Sequence, residues 1–249
     1  IQDDFSDNPQ AMRYFYDLFR RVYCQGEPVR HEGKLVGTTC IHAPEELIYA
    51  FGATPVRLCN GSYHYDQIGA DFMPAKSCPL VKSTLGSLHA KAAVPNTQAL
   101  ELIVNPTTCD QKTKASAMIE AMGYKVHDLE LPPAKESEEA RLYWQRSVRR
   151  LAVRLRDLTG RKLTRSNLKQ AMARTARAQT AFRTLHQLRK SAPALFLGKD
   201  AFLVTNAYFF DDLDRWTAAV EQLNAELLQR QRDGFQAAQK RAPRILFTG

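Results

Sequence analysis

The chain has 249 residues, of which 44% are hydrophobic, so it can bury the core of one large domain or two modest ones. It contains no apolar run of about 18 residues, which excludes a membrane span, and the acidic residues 1–8 do not resemble a signal peptide. The net charge is +9, and five cysteines are too few for a disulfide scaffold, which favours a reducing, cytoplasmic setting.

The basic charge is concentrated in one segment. Residues Arg141 to Lys190 hold fifteen Lys and Arg against one acid, Asp157, so the rest of the chain is net acidic. Such a segment is compatible with a nucleic-acid partner, with a solvated helical face, or with a surface that meets an acidic protein or a phosphate-rich ligand. Arginines on long helices more often face solvent or a partner subunit, so we do not expect nucleic acid to be the partner.

The first half of the chain alternates between predicted helices and strands. An amphipathic helix is predicted over 8–25, with Cys24 near its end as a small buried residue. A polar loop is predicted over 60–76. The remaining predicted elements up to residue 131 are strands at 35–40, 55–59, 100–104 and 124–131, and helices at 44–51, 78–91 and 109–122. This alternation predicts an α/β fold, with a parallel sheet and flanking helices of the Rossmann or flavodoxin-like kind, followed by a mostly helical segment.

A boundary is predicted at Pro132-Pro133, beyond which the pattern becomes helical. The helices of this segment are predicted at 136–158, 164–190, 199–209 and 211–234. We therefore predict three parts. They are an α/β domain over 1–133, which would carry the functional site, a helical segment over 134–241, and the first strand of a second, truncated α/β domain over 242–249.

Three of the five cysteines stand at junctions between predicted elements. Cys40 closes a strand and opens a helix, Cys78 opens a helix, and Cys109 follows a strand and opens a helix. Strand-to-helix turns of a parallel sheet meet at its carboxyl edge, and helix N-termini favour thiolates. Three thiolates in one crevice predict an iron–sulfur cluster or another metal centre with these cysteines as ligands. Cys59, at a strand end, is left open between a buried residue and a ligand.

Acidic residues follow the first of these cysteines. Three thiolates leave one iron of a cubane without a cysteine from this set, and such an iron can act as a Lewis acid. Glu45 and Glu46, one turn after Cys40, are therefore candidate fourth ligands and catalytic residues, although they could equally complement the helix dipole. His42 is a further candidate ligand, or a surface histidine.

Polar residues follow the other two cysteines. Ser83 is a candidate catalytic residue, and with Thr84 and Gly86 it could bring hydroxyls and bare backbone to a ligand, or belong to an ordinary helix. Lys112 and Lys114 could balance the charge of a cluster, or be solvated. No Gly-x-Gly-x-x-Gly, Walker or Gly-x-Ser-x-Gly motif is present, so the sequence predicts neither a nucleotide site nor a serine hydrolase.

The three cysteine segments together resemble a known family. The run from Val36 to Leu58, the run Cys78-Pro-Leu-Val-Lys-Ser-Thr-Leu-Gly and the run Thr107-Thr-Cys-Asp-Gln-Lys-Thr-Lys resemble motifs of the 2-hydroxyacyl-CoA dehydratase component family. That family includes benzoyl-CoA reductase subunits and double-cubane cluster proteins. The resemblance spans nearly all of this chain and about two thirds of a typical member, in which a second α/β domain follows. The chain departs from the pattern at Gln111-Lys-Thr113, where Gly-Lys-Lys is usual.

The resemblance implies a [4Fe-4S] cluster, or half of a double-cubane cluster, held by Cys40, Cys78 and Cys109. It implies an iron–sulfur subunit of an ATP-activated 2-hydroxyacyl-CoA dehydratase, a lyase, whose cluster binds a substrate oxygen and passes one electron to form a ketyl radical. The implied partners are a homologous second subunit or a second copy, an ATP-dependent iron–sulfur activator protein, and an acyl-CoA substrate. The alternative is a double-cubane cluster reductase or electron-transfer protein without an acyl-CoA substrate.

Overall fold

A computed structural model of the chain describes residues 7–58, 61–94, 96–238, 243 and 245. It divides the chain into two compact units, one formed by Glu27–Ala173 and the other by Ile1–Gly26 together with Arg174–Gly249. The domain boundaries expected from the sequence, after residues 133 and 241, stay a prediction, because compactness does not establish which segments fold alone. The strand predicted over 242–249 lies outside the described residues apart from 243 and 245, and Cys59 lies outside them too.

The unit Glu27–Ala173 is built on a parallel sheet of four strands. In chain order the strands are β1 (Lys34–Thr38), β2 (Ala53–Arg57), β3 (Leu100–Pro106) and β4 (Val126–Leu129). They are arranged β2-β1-β3-β4, and every neighbouring pair is parallel. The parallel α/β fold expected from the alternating pattern is therefore confirmed.

The order in which strands are added to the sheet reverses at β1. The chain passes from β1 to its neighbour β2, and then crosses to β3 on the other side of β1. Such a reversal is the topological switch point of an open α/β sheet, where a crevice forms beyond the carboxyl ends of the strands. The carboxyl ends of β1 and β3 therefore define the position in this unit that is best suited to a site.

In the described part of this unit, helices cover both faces of the sheet. They are α2 (Glu45–Ala50), α3 (Tyr63–Gly69), α4 (Pro79–His89), α5 (Asp110–Ala121) and α6 (Glu138–Thr159). Helices α2 and α6 pack with Leu102 and Val104 of β3 on one face, while α4 and α5 pack with Ile103 on the other. Alternate residues of β3 thus face opposite layers, as expected for a strand that is buried on both sides.

Helix α3 corrects the polar loop predicted over 60–76. Its first turn is capped by Ser62, whose hydroxyl accepts a hydrogen bond from the Tyr65 amide at 3.5 Å. The helix packs against α4 through bare backbone, because a Cβ on Gly69 would collide with the carbonyl oxygen of Lys82. Most of its side chains are polar and only partly covered, so it lacks the apolar periodicity by which a helix is recognised in a sequence.

The second unit is helical. Its helices are α1 (Met12–Phe19), α8 (Gly198–Ala207), α9 (Leu213–Arg232) and the part of α7 (Arg165–Leu188) that begins at Arg174. Trp216 is buried, and its indole N–H donates to the carbonyl oxygen of Val204 at 2.8 Å. The helices predicted after residue 135 are confirmed. Within the described residues, no helix is both long and apolar enough to pass through a membrane.

The end of the first helix differs from the expectation. The chain winds into a π-helical turn over Arg20–Cys24, in which Val22 is the buried residue. Cys24 is exposed, so the prediction of a buried residue at this position was wrong. The extra residue of a π turn rotates the end of the helix relative to an ideal α-helix, and thus changes which side chains face the core.

Candidate metal centre

Three cysteine side chains line one cavity at the carboxyl edge of the sheet. Cys40 lies two residues beyond the end of β1, Cys109 lies three residues beyond the end of β3, and Cys78 immediately precedes α4. The cavity has a volume of about 260 Å³. It is slightly smaller than the ~300–1,000 Å³ of typical small-molecule pockets, so it suits a compact group. The structure brings the three cysteines together, and their role as ligands stays a prediction.

Two of these cysteines are fixed as the N-cap residues of helices. The carbonyl oxygen of Cys78 accepts the Val81 amide at 3.0 Å, and that of Cys109 accepts the Thr113 amide at 3.1 Å. Cys40 differs, because its carbonyl oxygen accepts the Ala43 amide at 3.2 Å in a separate turn and α2 begins only at Glu45. The sequence therefore placed two of the three thiols correctly at a helix start, and the third precedes its helix by one turn.

The thiol of Cys40 is tuned by its neighbours. Its Sγ lies 3.2 Å from Nδ1 of His42. Burial raises the pKa of this thiol, but hydrogen bonds to the side chain and backbone of His42, together with the charge of Lys112, outweigh burial and lower the pKa to about 7. A substantial fraction of Cys40 is therefore thiolate near neutral pH, which is the form that binds metals. His42 is thus a close neighbour of the first thiol, and its role as a ligand stays a prediction.

Two cationic side chains also line the cavity. Arg57, at the carboxyl end of β2, donates to Oε1 of Glu45 at 2.8 Å, and both side chains are mostly buried. Lys112 donates to the carbonyl oxygen of Thr39 at 2.7 Å. Opposite charges close to an anionic group stabilise it, so these cations can compensate thiolates and an anionic ligand. Sequence analysis missed Arg57, although a charged residue at a strand end on this edge is a usable signal.

A buried amide joins the turns that follow β1 and β3. Asn105 is 1% exposed, and its Oδ1 accepts the Thr39 hydroxyl at 2.6 Å. Its Nδ2 donates to the Ser116 hydroxyl at 2.7 Å and to the Lys112 carbonyl oxygen at 2.8 Å. Because Thr39 precedes Cys40 and Lys112 follows Cys109, this residue fixes two of the cysteine turns relative to each other. In the sequence, the signal for this buried amide was a polar Asn directly after the apolar run Leu-Ile-Val.

The residues proposed as catalytic are placed differently from one another. None of the three, which are Glu45, Glu46 and Ser83, lines the cavity. Glu45 nevertheless accepts a hydrogen bond from Arg57, which does. Ser83 is fully buried in α4, where its neighbour Thr84 lines the cavity instead. The catalytic assignment of these three residues stays a prediction.

Of the other residues singled out beside the cysteines, some line the cavity and others lie away from it. Lys112 lines the cavity, but Lys114 is exposed on the outer side of α5. Gly86 faces α3, because a Cβ there would collide with the carbonyl oxygen of Tyr65. The absence of a side chain at Gly86 therefore allows close helix packing. This glycine neither faces a ligand nor is merely tolerated in the helix.

The donor set can be compared with what different metal centres require. Among the described residues, no group of three or more His, Cys, Asp or Glu side chains has the geometry of a single metal-ion site. A cluster makes a different demand, because each cysteine thiolate binds a different iron and the sulfurs need not converge on one point. Three thiols around one small cavity with two cations are donors that such a cluster could use, and the cluster itself stays a prediction.

Comparison with known proteins identifies the family. The family described as "2-hydroxyglutaryl-CoA dehydratase, D-component" matches residues 40–249. "Putative dehydratase subunit YjiM" of Escherichia coli (strain K12) is 31% identical over 218 residues, which cover 86% of this chain and 55% of that protein. The beta subunit of (R)-2-hydroxyglutaryl-CoA dehydratase from Acidaminococcus fermentans is 23% identical over 199 residues, which cover 78% of this chain and 51% of that subunit.

The matches cover most of this chain but only part of the curated relatives. The chain spans about half the length of the curated relatives that it matches. The family match begins at Cys40 itself and continues to the last residue, so it includes all three cysteine turns. This chain belongs to the 2-hydroxyglutaryl-CoA dehydratase D-component family.

Proposed function

We propose that this chain is the iron–sulfur subunit of an ATP-activated dehydratase of 2-hydroxyacyl-CoA thioesters. The observation that carries the proposal is the cavity of about 260 Å³ that Cys40, Cys78 and Cys109 line together, in a chain of the dehydratase family. These three thiolates would hold a [4Fe-4S] cluster. When bound, the cluster supplies one electron at low potential and a Lewis-acidic iron that has no cysteine from this set.

Residues around the thiols would prepare the cavity for such a group. Arg57 and Lys112 would offset the negative charge of the thiolates, since both line the cavity. Val81 and Ile119, which are buried, form an apolar part of its wall, which would limit the access of water and strengthen the electrostatic interactions inside. The ion pair between Arg57 and Glu45 would hold the Arg57 side chain in place at the border of the cavity.

The names of the relatives support the substrate class and the partner subunit proposed here. One relative is named as the beta subunit of a 2-hydroxyglutaryl-CoA dehydratase, which supports a homologous second subunit for this chain. We further propose an ATP-dependent iron–sulfur activator as the electron donor. A transferred electron would turn the substrate thioester into a ketyl radical anion, from which the α-hydroxyl would leave as hydroxide and the β-proton would be removed. The product radical would then return the electron to the enzyme, so that the net reaction is the loss of water alone. Only the reactive end of an acyl-CoA could approach a cavity this small.

The size of the cavity also favours a second candidate. It is smaller than a typical small-molecule pocket, and an acyl-CoA would have to lie mainly outside it. A double-cubane cluster reductase or electron-transfer protein would need no acyl-CoA site. In that case Cys40, Cys78 and Cys109 would hold one half of a larger cluster.

Turnover by the assembled enzyme separates the two candidates. With activator and ATP, the dehydratase candidate predicts loss of water from a 2-hydroxyacyl-CoA thioester, measured by mass spectrometry of the product. The single variants Cys40→Ala, Cys78→Ala and Cys109→Ala are expected to fall to background, whereas Cys24→Ala, at an exposed cysteine outside the cavity, keeps full turnover. Activator-dependent electron uptake without dehydration would instead support the double-cubane candidate.

A further inference from the structure

The side chain of Gln111 joins two of the cysteine turns. Gln111 lies in the first turn of α5, two residues after Cys109, and its Oε1 accepts the backbone N–H of Cys78 at 2.6 Å. The two bonded residues are 33 positions apart in the chain. This contact therefore connects the turn of the second thiol directly to the helix that follows the third.

The turn at Cys78 depends on such an external contact. Cys78 is the N-cap of α4, but its side chain makes no capping hydrogen bond, and the next residue is Pro79, which has no N–H. A helix start without a side-chain cap is normally less well fixed than a capped one. Oε1 of Gln111 is the acceptor for the Cys78 amide, in a half-buried region at the edge of the cavity.

Consecutive residues of α5 contact both of the other cysteine turns. Gln111 accepts the Cys78 amide, whereas Lys112 donates to the carbonyl oxygen of Thr39, the residue before Cys40. The first turn of α5 is therefore bonded to the turns of both other thiols. Lys112 lines the cavity, but Gln111 does not, so Gln111 acts on the site through the backbone of Cys78.

We propose that Gln111 is a positioning residue, which fixes the Cys78 turn against α5 so that the Cys78 and Cys109 thiols keep their spacing before a cluster binds. The inference rests on the proposed function for its consequence, which is tighter retention of the cluster. It also means that the Cys78 amide is already bonded to Gln111, so this N–H is not a donor to a sulfide of the cluster. Glycine, which is usual at this position in the family that the sequence resembles, has no side chain and could not make this contact.

The test compares Gln111→Ala and Gln111→Glu with the wild-type chain. Gln98→Ala is the matched control, because Gln98 also bonds to backbone in the same compact unit but at an exposed position away from the cavity. The first measurement is amide exchange of Cys78 in the protein without iron. Exchange is expected to be about two- to tenfold faster in Gln111→Ala, as for the loss of one ordinary hydrogen bond. Gln111→Glu keeps an acceptor and is expected to restore the wild-type rate.

The second measurement is the rate at which a chelator removes iron after anaerobic reconstitution. Faster removal is expected from Gln111→Ala, at equal initial iron content and unchanged circular dichroism, whereas Gln98→Ala behaves as the wild type. Unchanged Cys78 exchange in Gln111→Ala, or equal iron release, would overturn the positioning role. If the wild-type chain takes up no iron, the proposed function fails, and the exchange measurement alone then decides whether Gln111 fixes the Cys78 turn.

Discussion

At the scale of single residues, the site depends on polar groups that have no direct part in metal binding. Asn105 fills this role most clearly, because it bonds to residues on both sides of the switch point while almost fully buried. Buried polar groups are costly when a partner is removed, since the groups left behind lose hydrogen bonds that water cannot replace.

Replacing Asn105 by Ala is therefore expected to lower the free energy of unfolding by about 1–3 kcal/mol. The substitution leaves the Thr39 and Ser116 hydroxyls without their bonds to the amide. Urea unfolding followed by circular dichroism measures the change. As control, Asn206→Ala removes an exposed amide within α8, where a change within about 0.5 kcal/mol is expected. Equal stability of the two variants would contradict the structural role of Asn105.

A second residue-scale prediction concerns His127 on β4. Its Nε2 is buried without a hydrogen-bond partner among the described residues. Burial, followed by the charges of Arg154 and Arg150, lowers the pKa of this imidazole. The folded state therefore favours the neutral ring. The resulting stability is complete above the unfolded-state pKa of about 6.5, and it is lost as the pH falls through the lower folded-state pKa.

Urea midpoints measured from pH 7.5 down to about pH 5 test this effect. The wild-type chain is expected to lose stability over this range, and His127→Gln is expected to lose less of it because Gln does not titrate. An identical pH dependence in the two proteins would show that His127 contributes nothing to the loss.

At the scale of elements, the close packing of α3 against α4 supports the helix that begins at Cys78. The two helices approach through glycine on each side, Gly69 in α3 and Gly86 in α4, and a Cβ at either position would meet backbone atoms of the other helix. Backbone cannot move aside as the end of a flexible side chain can, so a larger residue must push the helices apart.

Gly86→Ala is accordingly expected to destabilise the chain by about 1–3 kcal/mol, despite the better helix propensity of Ala. Gly198→Ala is the matched control, because Gly198 is also helical and has open space where its Cβ would be. That control is expected to be neutral or to stabilise by up to about 1 kcal/mol. Thermal unfolding of both variants gives the comparison, and a neutral Gly86→Ala would refute the proposed close contact.

The same elements show what could be predicted from the sequence. Strands β1 and β3 and helices α4 and α5 were predictable, because apolar runs, proline and glycine specify them locally. Placing three cysteines at turns of a parallel sheet was enough to predict that they meet. Helix α3 was missed because its contact is made by backbone, and the bond between Gln111 and Cys78 was missed because it joins residues that are distant in the chain.

At the scale of the whole molecule, the charge distribution suggests how a partner could be bound. Arg149 and Arg154 on α6 are exposed, and the adjacent Arg150 is paired with Glu130 at 2.6 Å. Exposed charges of one sign mainly accelerate association and make it sensitive to salt. The basic face of α6 is thus a candidate surface for the activator or the second subunit, and nucleic acid stays a partner that we do not expect.

Charge reversal tests this surface in the assembled enzyme. Arg149→Glu combined with Arg154→Glu is expected to raise the activator concentration needed for half-maximal turnover, with a larger effect at low salt. Arg150 is left unchanged in this variant so that its ion pair stays intact. Arg13→Glu, an exposed reversal on α1, serves as the control and is expected to have no effect. Unchanged activator-dependent turnover in the double variant would exclude α6 as the docking surface.

Anaerobic iron and sulfide analysis with EPR shows whether Cys40, Cys78 and Cys109 hold an iron–sulfur cluster, on which the proposed function depends. After reconstitution, we expect about four irons and as many sulfides per chain, with a cluster signal on reduction. The signal and the iron are expected to be lost in the triple Cys40/Cys78/Cys109→Ala variant and kept in Cys24→Ala. Iron retained by the triple variant at the wild-type level, or none taken up by the wild type, would show that these three cysteines do not hold a cluster.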